Sequence, residues 1–386
     1  MSGSERMAQQ KITTGNVAVV HDWLPLVGGA ERVVQQMVRA FPNSTLYTLF
    51  DFLSDAERSE ITSGVPIHTS RLNSWPGVRR YYRYLILQCT RAIEEFDVTG
   101  HDLVLSSSAA LAKGVLTSPD QVHVSYIHSP VRYAWDLTHD YINSIDGVGR
   151  ALKRKVAREM MHRLRLWDMR SVAQVDHMIA NSHFIRKRIW KTYRREAEVI
   201  YPPVDTDRFH MANTPRDDFF FTASRMVPYK RIDLIVETFT ARPDLKLVVC
   251  GDGPEMARIR ALAGQNIAFL GHAPFDVMRD HMQRARGFVF AAKEDFGIVP
   301  VEAQACGTPV IALDQGGTAE TVRGPDDGAA TGVHFSDQTP DALGRALREF
   351  EEIEGEFDAE MISTHARRFS SDRFVEELRS FVASVT

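Results

Sequence analysis

The chain has 386 residues, 44% hydrophobic and 25% charged, with a formal net charge of -4. At roughly 100–200 residues per domain, this length predicts two or three domains with sizeable cores. No apolar run approaches the ~20 residues of a membrane span, and the polar start, MSGSERMAQQKITTG, has no apolar signal segment, so a cytoplasmic location is expected. Three scattered cysteines (Cys89, Cys250, Cys306) without C-x-x-C spacing argue against a disulfide framework and a cysteine-based zinc site.

The charge is unevenly spread. Residues 1–200 hold 26 Lys/Arg against 20 Asp/Glu, a balance of +6, and the remainder holds 20 against 30, a balance of -10. A basic first half predicts an anionic partner there. Without a zinc-finger, RRM or KH signature, nucleic acid is not that partner.

In chain order, residues 1–15 read as a disordered or extended start and 16–20 as a buried strand. Asp22 follows at the strand's end, and Gly28-Gly29 lead into a helix from Ala30. The two glycines suit either close approach to a ligand or simple turn chemistry. Strands follow at 45–50, 66–69 and 103–106. Residues 79–87, RRYYRYLIL, mix bases with aromatics, which fits a membrane interface or packing with snorkelling arginines equally. A strand at 122–127 delivers His128 to its carboxyl end, where α/β sheets place ligand groups.

Residues 149–170 read as a basic helix with apolar positions Leu152, Val156, Met160, Leu164 and Trp167, predicting a solvated basic face or contact with an anionic membrane surface. After a strand at 175–180 and a helix capped by Ser182, Pro202-Pro203 mark a rigid hinge. The domain boundary is expected there, between 200 and 201.

The second half restarts the alternation, with strands at 219–223, 245–250 and 267–270 ending at Ser224-Arg225, Gly251-Asp252-Gly253 and Gly271. Arg225 and Lys230 suit a diphosphate clamp, the first through planar bidentate bonds and the second as a mobile point charge. A strand at 288–292 precedes a charged turn and a helix carrying Pro300 and Glu302. Glu294 and Glu302, with seven residues between them, flank a turn (Phe296, Gly297, Ile298, Val299) whose free amides suit an anionic or polyhydroxy ligand. A strand at 308–313 leads to Gly316-Gly317 and another helix. Asp205-Thr206-Asp207 spells a metal-binding D-x-D, but it follows the hinge prolines and not a buried strand. Helices at 341–354 and near 369–386 close the chain.

Together these residues resemble the retaining glycosyltransferases of family 4, from residue 16 to the last helix. The most specific match is E-x7-E, Glu294 to Glu302 within EDFGIVPVEAQACGTPVIA, followed by Gly316-Gly317 and Glu320. Arg231 departs from the glycine common after the lysine, and Pro202-Pro203 from the usual Asn-Gly linker. The resemblance implies an α/β fold of GT-B architecture, two Rossmann-like α/β/α domains facing a central cleft. Residues 1–200 form the acceptor side, with 369–386 packing back on them, and 201–368 hold the donor.

It also implies Arg225, Lys230, Glu294 and His128 as catalytic residues. The donor, a nucleotide-sugar, would be bound by Gly29, Arg225, Lys230, Gly271, Glu294, Phe296, Gly297, Ile298, Val299 and Glu302. Asp22, Gly28 and Gly29 would lie on the acceptor side, and neither metal nor cofactor is required. The start and the HSPVRYAWD segment look most like a bacterial branch of O-antigen mannosyltransferases, which implies GDP-mannose (or else a UDP-sugar) and a polyprenyl-diphosphate-linked glycan at the inner face of the membrane. A sugar-nucleotide epimerase and a non-catalytic binding subunit are the rival expectations on the same fold.

Overall fold

The structure, a computed structural model, describes residues 16–147 and 149–386; the expectation for residues 1–15 lies outside them. The chain divides into two compact units. One comprises the described residues up to Tyr201 together with Phe374–Thr386, and the other is Pro202–Arg373. The division falls at the hinge prolines, and the return crossing comes at 374, later than the expected 369.

The first unit is built on a parallel sheet of β1 (Val17–His21), β2 (Thr45–Thr48), β3 (Ile67–Thr69), β4 (Leu103–Ser108), β5 (Val122–Ile127), β6 (His177–Ala180) and β7 (Glu198–Val199). Its order is β3-β2-β1-β4-β5-β6-β7. The second unit has β8 (Phe220–Ala223), β9 (Leu247–Cys250), β10 (Ile267–Gly271), β11 (Phe288–Phe290), β12 (Val310–Leu313) and β13 (Gly332–Phe335), ordered β10-β9-β8-β11-β12-β13. Both are doubly wound, so each has a switch point between its first and fourth strands, where connections leave in opposite directions and open a crevice at the carboxyl ends. β7 and β13 are strands that hydrophobic patterning misses, because β7 has two residues and β13 includes Gly332 and His334.

The central strands are buried on both faces, as parallel sheets require. Val17 and Val19 of β1 join one core layer, with the helix Gly29–Ala40, while Ala18 and Val20 join the other. The helix Ser371–Val385 inserts Phe374, Leu378 and Val382 into the first of these layers. Phe374 meets the Tyr126 ring at 5.7 Å, and Arg379 Nε donates to the Ala40 carbonyl at 2.9 Å.

The basic helix Arg150–Ser171 packs differently from its sequence pattern. Its buried seam is Ala157, Met161, Leu164, Asp168 and Ser171, while Leu152 and Val156 stand 68% and 50% exposed. Asp168 is the reason. Its carboxylate is fully buried against Lys113 Nζ (2.6 Å), Trp135 Nε1 (2.7 Å) and the Tyr193 hydroxyl (2.9 Å), which pins the seam to its register.

Phe374 is fully buried, so Phe374→Ala should destabilise the protein by about 3–5 kcal/mol, the usual cost of a large core cavity. Urea unfolding checks this. A loss under about 1 kcal/mol would mean that the last helix contributes little to the first unit's core.

Candidate active site

In the second unit, β8 ends by presenting Arg225. The backbone there is fixed from outside: a Cβ on Gly251 would lie 1.9 Å from the Ser224 carbonyl, and one on Gly253 would lie 2.4 Å from that of Met226. Only glycines allow the loop after β9 to lie this close. Arg225 is exposed and forms no ion pair among the described residues. Six residues on, Arg231 holds a left-handed conformation (φ 54°) at the start of the helix Ile232–Thr240. A side chain adds steric cost in that conformation, at the position where the resemblance implies glycine.

Lys230 reaches Glu294 in a half-buried ion pair, Nζ to Oε1 at 2.5 Å, with the ammonium 5.7 Å from the Phe290 ring centre. Glu294 follows β11, and its backbone is clamped by Gly316-Gly317. The Gly317 N–H donates to the Glu294 carbonyl at 2.9 Å, and a Cβ on Gly316 would sit 2.3 Å from that oxygen. Gly297 (φ 89°) then turns the chain into the helix Ile298–Ala305. The N–H groups of Gly297, Ile298 and Val299 have no partner among the described residues, and Pro300 has none to offer. These three donors at a helix N-terminus make a site for negative or hydroxyl oxygens. Glu302 lies one turn further along the same helix. Gly271 (φ 68°) ends β10.

In the first unit, the sheet's switch point gathers His21, Asp22, Ser107 and His128. His21 Nδ1 lies 3.0 Å from the Ser107 carbonyl and 3.1 Å from its Oγ. A carbonyl only accepts, so Nδ1 carries the proton. The Ser107 hydroxyl is then free to donate to His128 Nε2, 2.8 Å away, which leaves His128 Nδ1 as the protonated nitrogen of a neutral ring. Loss of hydration, and then the neighbouring His21, push His128 down to about 3. The Gly28 N–H is taken by Glu31 Oε2 at 3.0 Å, and burial raises that carboxyl above its ordinary range. Gly29 N–H has no partner among the described residues.

Asp22 departs from its expected acceptor-side role. It is buried, and its Oδ2 accepts from the Ala109 and Ala110 amides (2.6 and 2.9 Å) while Oδ1 accepts from those of Leu111 and Ala112 (both 2.6 Å). Four amide bonds occupy the carboxylate's acceptor capacity, so Asp22 holds the segment after β4 in place and has nothing left for a substrate hydroxyl. His21, Ser107 and Glu31 are not singled out in the sequence; a polar residue closing an apolar strand, His21 after residues 17–20 and Ser107 after residues 103–105, is the signal for the first two, while Glu31 lies in the helix Gly29–Ala40. The D-x-D residues form a turn, in which Asp205 Oδ1 accepts from the Arg208 amide at 3.1 Å. Burial pushes the Cys89 and Cys306 thiols up to about 12, so neither is a thiolate nucleophile.

Two family models match, "Glycosyltransferase Family 4" over residues 27–208 and "Glycosyl transferases group 1" over residues 204–368. The chain belongs to the family 4, group 1 glycosyltransferases. Among curated relatives, a GDP-mannose-dependent monoacylated alpha-(1-6)-phosphatidylinositol monomannoside mannosyltransferase of Corynebacterium glutamicum is 36% identical, over 33% of this chain and 36% of that protein. The GDP-mannose-dependent alpha-(1-6)-phosphatidylinositol monomannoside mannosyltransferase of Mycobacterium tuberculosis is 30% identical, over 43% and 51%. The chain thus spans about half or less of the curated relatives it matches. Its fold is that of GT-B glycosyltransferases. HepE of Anabaena in complex with UDP superposes with a TM-score of 0.70 at 15% identity, covering 96% of this chain and 100% of that one. Sucrose-phosphate synthase of Thermosynechococcus elongatus gives 0.69 at 15%, over 96% and 99%.

His123, His128 and His365 make the fold sensitive to acid. Loss of hydration pushes His123 and His365 down to about 4, and His128 to about 3. In the unfolded chain each titrates near ~6.5. Below that pH the unfolded state gains protons that the folded state cannot accept, so stability is full above about 6.5 and falls as the pH drops toward 4. Each ring contributes up to about 1.4 kcal/mol per pH unit. Urea midpoints should therefore fall between pH 7 and pH 5, and equal midpoints would show that these rings are protonated in the folded chain.

Proposed function

We propose that this chain is a retaining glycosyltransferase that moves mannose from GDP-mannose onto a lipid-linked saccharide, in bacterial surface polysaccharide (O-antigen or exopolysaccharide) synthesis. One observation carries the reading: Arg225 stands unpaired at a strand end, with the Lys230–Glu294 pair and three open amides on the same unit. Cations beside hydroxyl-binding groups are what a sugar joined to a diphosphate requires. The GDP-mannose dependence of the named relatives supports the choice of donor.

In this reading the acceptor's hydroxyl oxygen bonds to the anomeric carbon while the bond from that carbon to the diphosphate oxygen breaks. The bonding pair leaves with the diphosphate, and the hydroxyl proton passes to a phosphate oxygen on the same face. Arg225 and Lys230 stabilise the negative charge that develops on the leaving group, as a metal does in D-x-D enzymes. Glu294 and the amides of Gly297, Ile298 and Val299 hold sugar hydroxyls, Glu302 holds the ribose, and Gly271 lets the donor pass close to β10. On the first unit, His128 Nδ1–H and the Gly29 amide are the donors assigned to substrate hydroxyls.

No helix among the described residues is long and apolar enough to cross a membrane. Peripheral attachment at the membrane's inner face through the exposed Leu152 and Val156, flanked by Lys153, Lys155 and Arg158, would bring the enzyme to a lipid-linked acceptor.

Purified protein should release GDP slowly from GDP-mannose, and Arg225→Ala should lower this by about 10²–10³-fold with the fold unchanged by circular dichroism. Equal turnover would remove the clamp. A panel of GDP- and UDP-sugars tests the donor. Preference for a UDP-sugar, the nucleotide class bound in HepE, would keep the transfer and replace mannose. EDTA should leave turnover intact, and dependence on an added divalent metal would overturn the assignment of leaving-group stabilisation to Arg225 and Lys230.

A further inference from the structure

The first unit contains a groove of about 850 Å³ that the chemistry above does not use. It starts from the loop that follows Asp22, through Trp23, Pro25 and Leu26, so it adjoins the loop carrying Gly28-Gly29. Its floor is aromatic. Tyr82 packs edge-on against Trp23 (5.9 Å) and Phe52 (5.4 Å), and Tyr133 continues the lining.

The rim is cationic. Arg79, Arg80 and Arg83 line the groove, and no carboxylate does. The Arg79 guanidinium lies 6.0 Å from the Phe52 ring centre, and that of Arg83 lies 5.4 Å from the Tyr82 ring while its Nε donates to the Tyr82 hydroxyl at 3.1 Å. None of the three forms an ion pair among the described residues. The outer edge is apolar and open, with Tyr84 75% and Leu26 56% exposed. Leu152 and Val156 fall at i and i+4 of a helical stripe whose i+8 member, Met160, lines the groove. An exposed apolar track therefore runs along that helix into an aromatic channel edged by arginines.

We infer that this groove binds the lipid end of the acceptor, taking a phosphate or diphosphate on Arg79, Arg80 and Arg83 and the adjoining hydrocarbon chain along Tyr82, Tyr133 and Met160. The inference rests on the transferase reading for its word "acceptor", but the binding it describes does not depend on that chemistry. Arginine forks match phosphate oxygens in bidentate fashion, and an apolar floor free of carboxylates suits hydrocarbon next to an anion. A bulk membrane surface would meet a convex basic face, whereas this site is concave and opens beside the loop holding Gly28-Gly29. One acceptor molecule fits that geometry better than a sheet of headgroups.

The test is calorimetric binding of farnesyl diphosphate, used below its micellar concentration, to the full chain without nucleotide-sugar. Farnesyl diphosphate should bind at least about tenfold more tightly than inorganic diphosphate or farnesol, because only it engages both parts of the groove. The exposed-site variant Arg79→Ala/Arg80→Ala/Arg83→Ala should lose about tenfold or more in farnesyl diphosphate affinity while keeping its thermal midpoint. Met160→Asn, which adds polarity without charge, should weaken it without affecting inorganic diphosphate.

Equal binding of farnesyl and inorganic diphosphate would overturn the site as a lipid groove, as would an unchanged affinity in the triple variant. Loss of binding to phosphatidylglycerol vesicles in the triple variant, with farnesyl diphosphate affinity intact, would also overturn it and make the arginines a membrane contact. If farnesyl diphosphate binds as expected but no nucleotide-sugar is turned over, the groove stands and the transferase reading fails.

Discussion

Two backbones pass so close together at Gly316-Gly317 and Glu294–Phe296 that no side chain fits between them, and the second unit's site follows from that approach. A Cβ on Gly317 would lie 2.3 Å from Phe296 Cα. With Cβ atoms excluded, the Gly317 amide can bond the Glu294 carbonyl, which sets the direction in which Glu294 leaves the sheet and brings its carboxylate to Lys230. The turn that follows has to reverse at Gly297 and start a helix whose first amides find no carbonyl. Gly251 and Gly253 act on Arg225 in the same way. Both cations and the turn with open amides are thus placed by glycine contacts made with other strands' loops.

In the first unit the corresponding problem is buried charge. A carboxylate taken out of water is costly unless its oxygens are fully bonded. Asp22 is satisfied by four consecutive amides and Asp168 by Lys113, Trp135 and Tyr193. Lys113 follows directly on the segment that Asp22 holds, and its Nζ also donates to the Ala110 carbonyl at 2.9 Å. The two anions therefore fix residues 109–113 from both sides. That rigidity is passed to Ser107, whose hydroxyl sets the tautomer of His128 and so the direction of its free N–H.

These differences show what was legible in the amino-acid sequence. The places of Glu294, Glu302, Arg225 and Lys230 beside strand ends and helix starts are legible because these are local events, written in adjacent residues. The alternation of strand and helix likewise exposed both doubly wound units. Asp22 was misread because its partners are backbone amides 87 to 90 residues away, and backbone amides have no signature in side-chain order. Lys113 and Asp168 escaped notice for the same reason, since pairing across 55 positions turns two ordinary surface residue types into core. The helix seam shifted with them: Leu152 and Val156 fit a helical period as well as Ala157 and Met161 do, and only the buried Asp168 chooses between the two faces.

The arrangement of cations gives the same distinction a functional edge. Arg242 and Arg286 are each held by two carboxylates, and their positions are explained by those partners. An arginine that is exposed on a helix and forms no ion pair among the described residues, such as Arg345, needs no explanation, because water and counterions satisfy it. Arg225 and the Arg79–Arg80–Arg83 group differ in place. One stands at the carboxyl end of a strand at a sheet's switch point, and the others edge a concave aromatic channel. A guanidinium set at such a site without a carboxylate raises the local potential where an anion can dock, and it keeps its donors open for that anion. The two groups fall on different units, so the proposed reaction assigns one anionic substrate to each: a nucleoside diphosphate to the second and a lipid phosphate to the first.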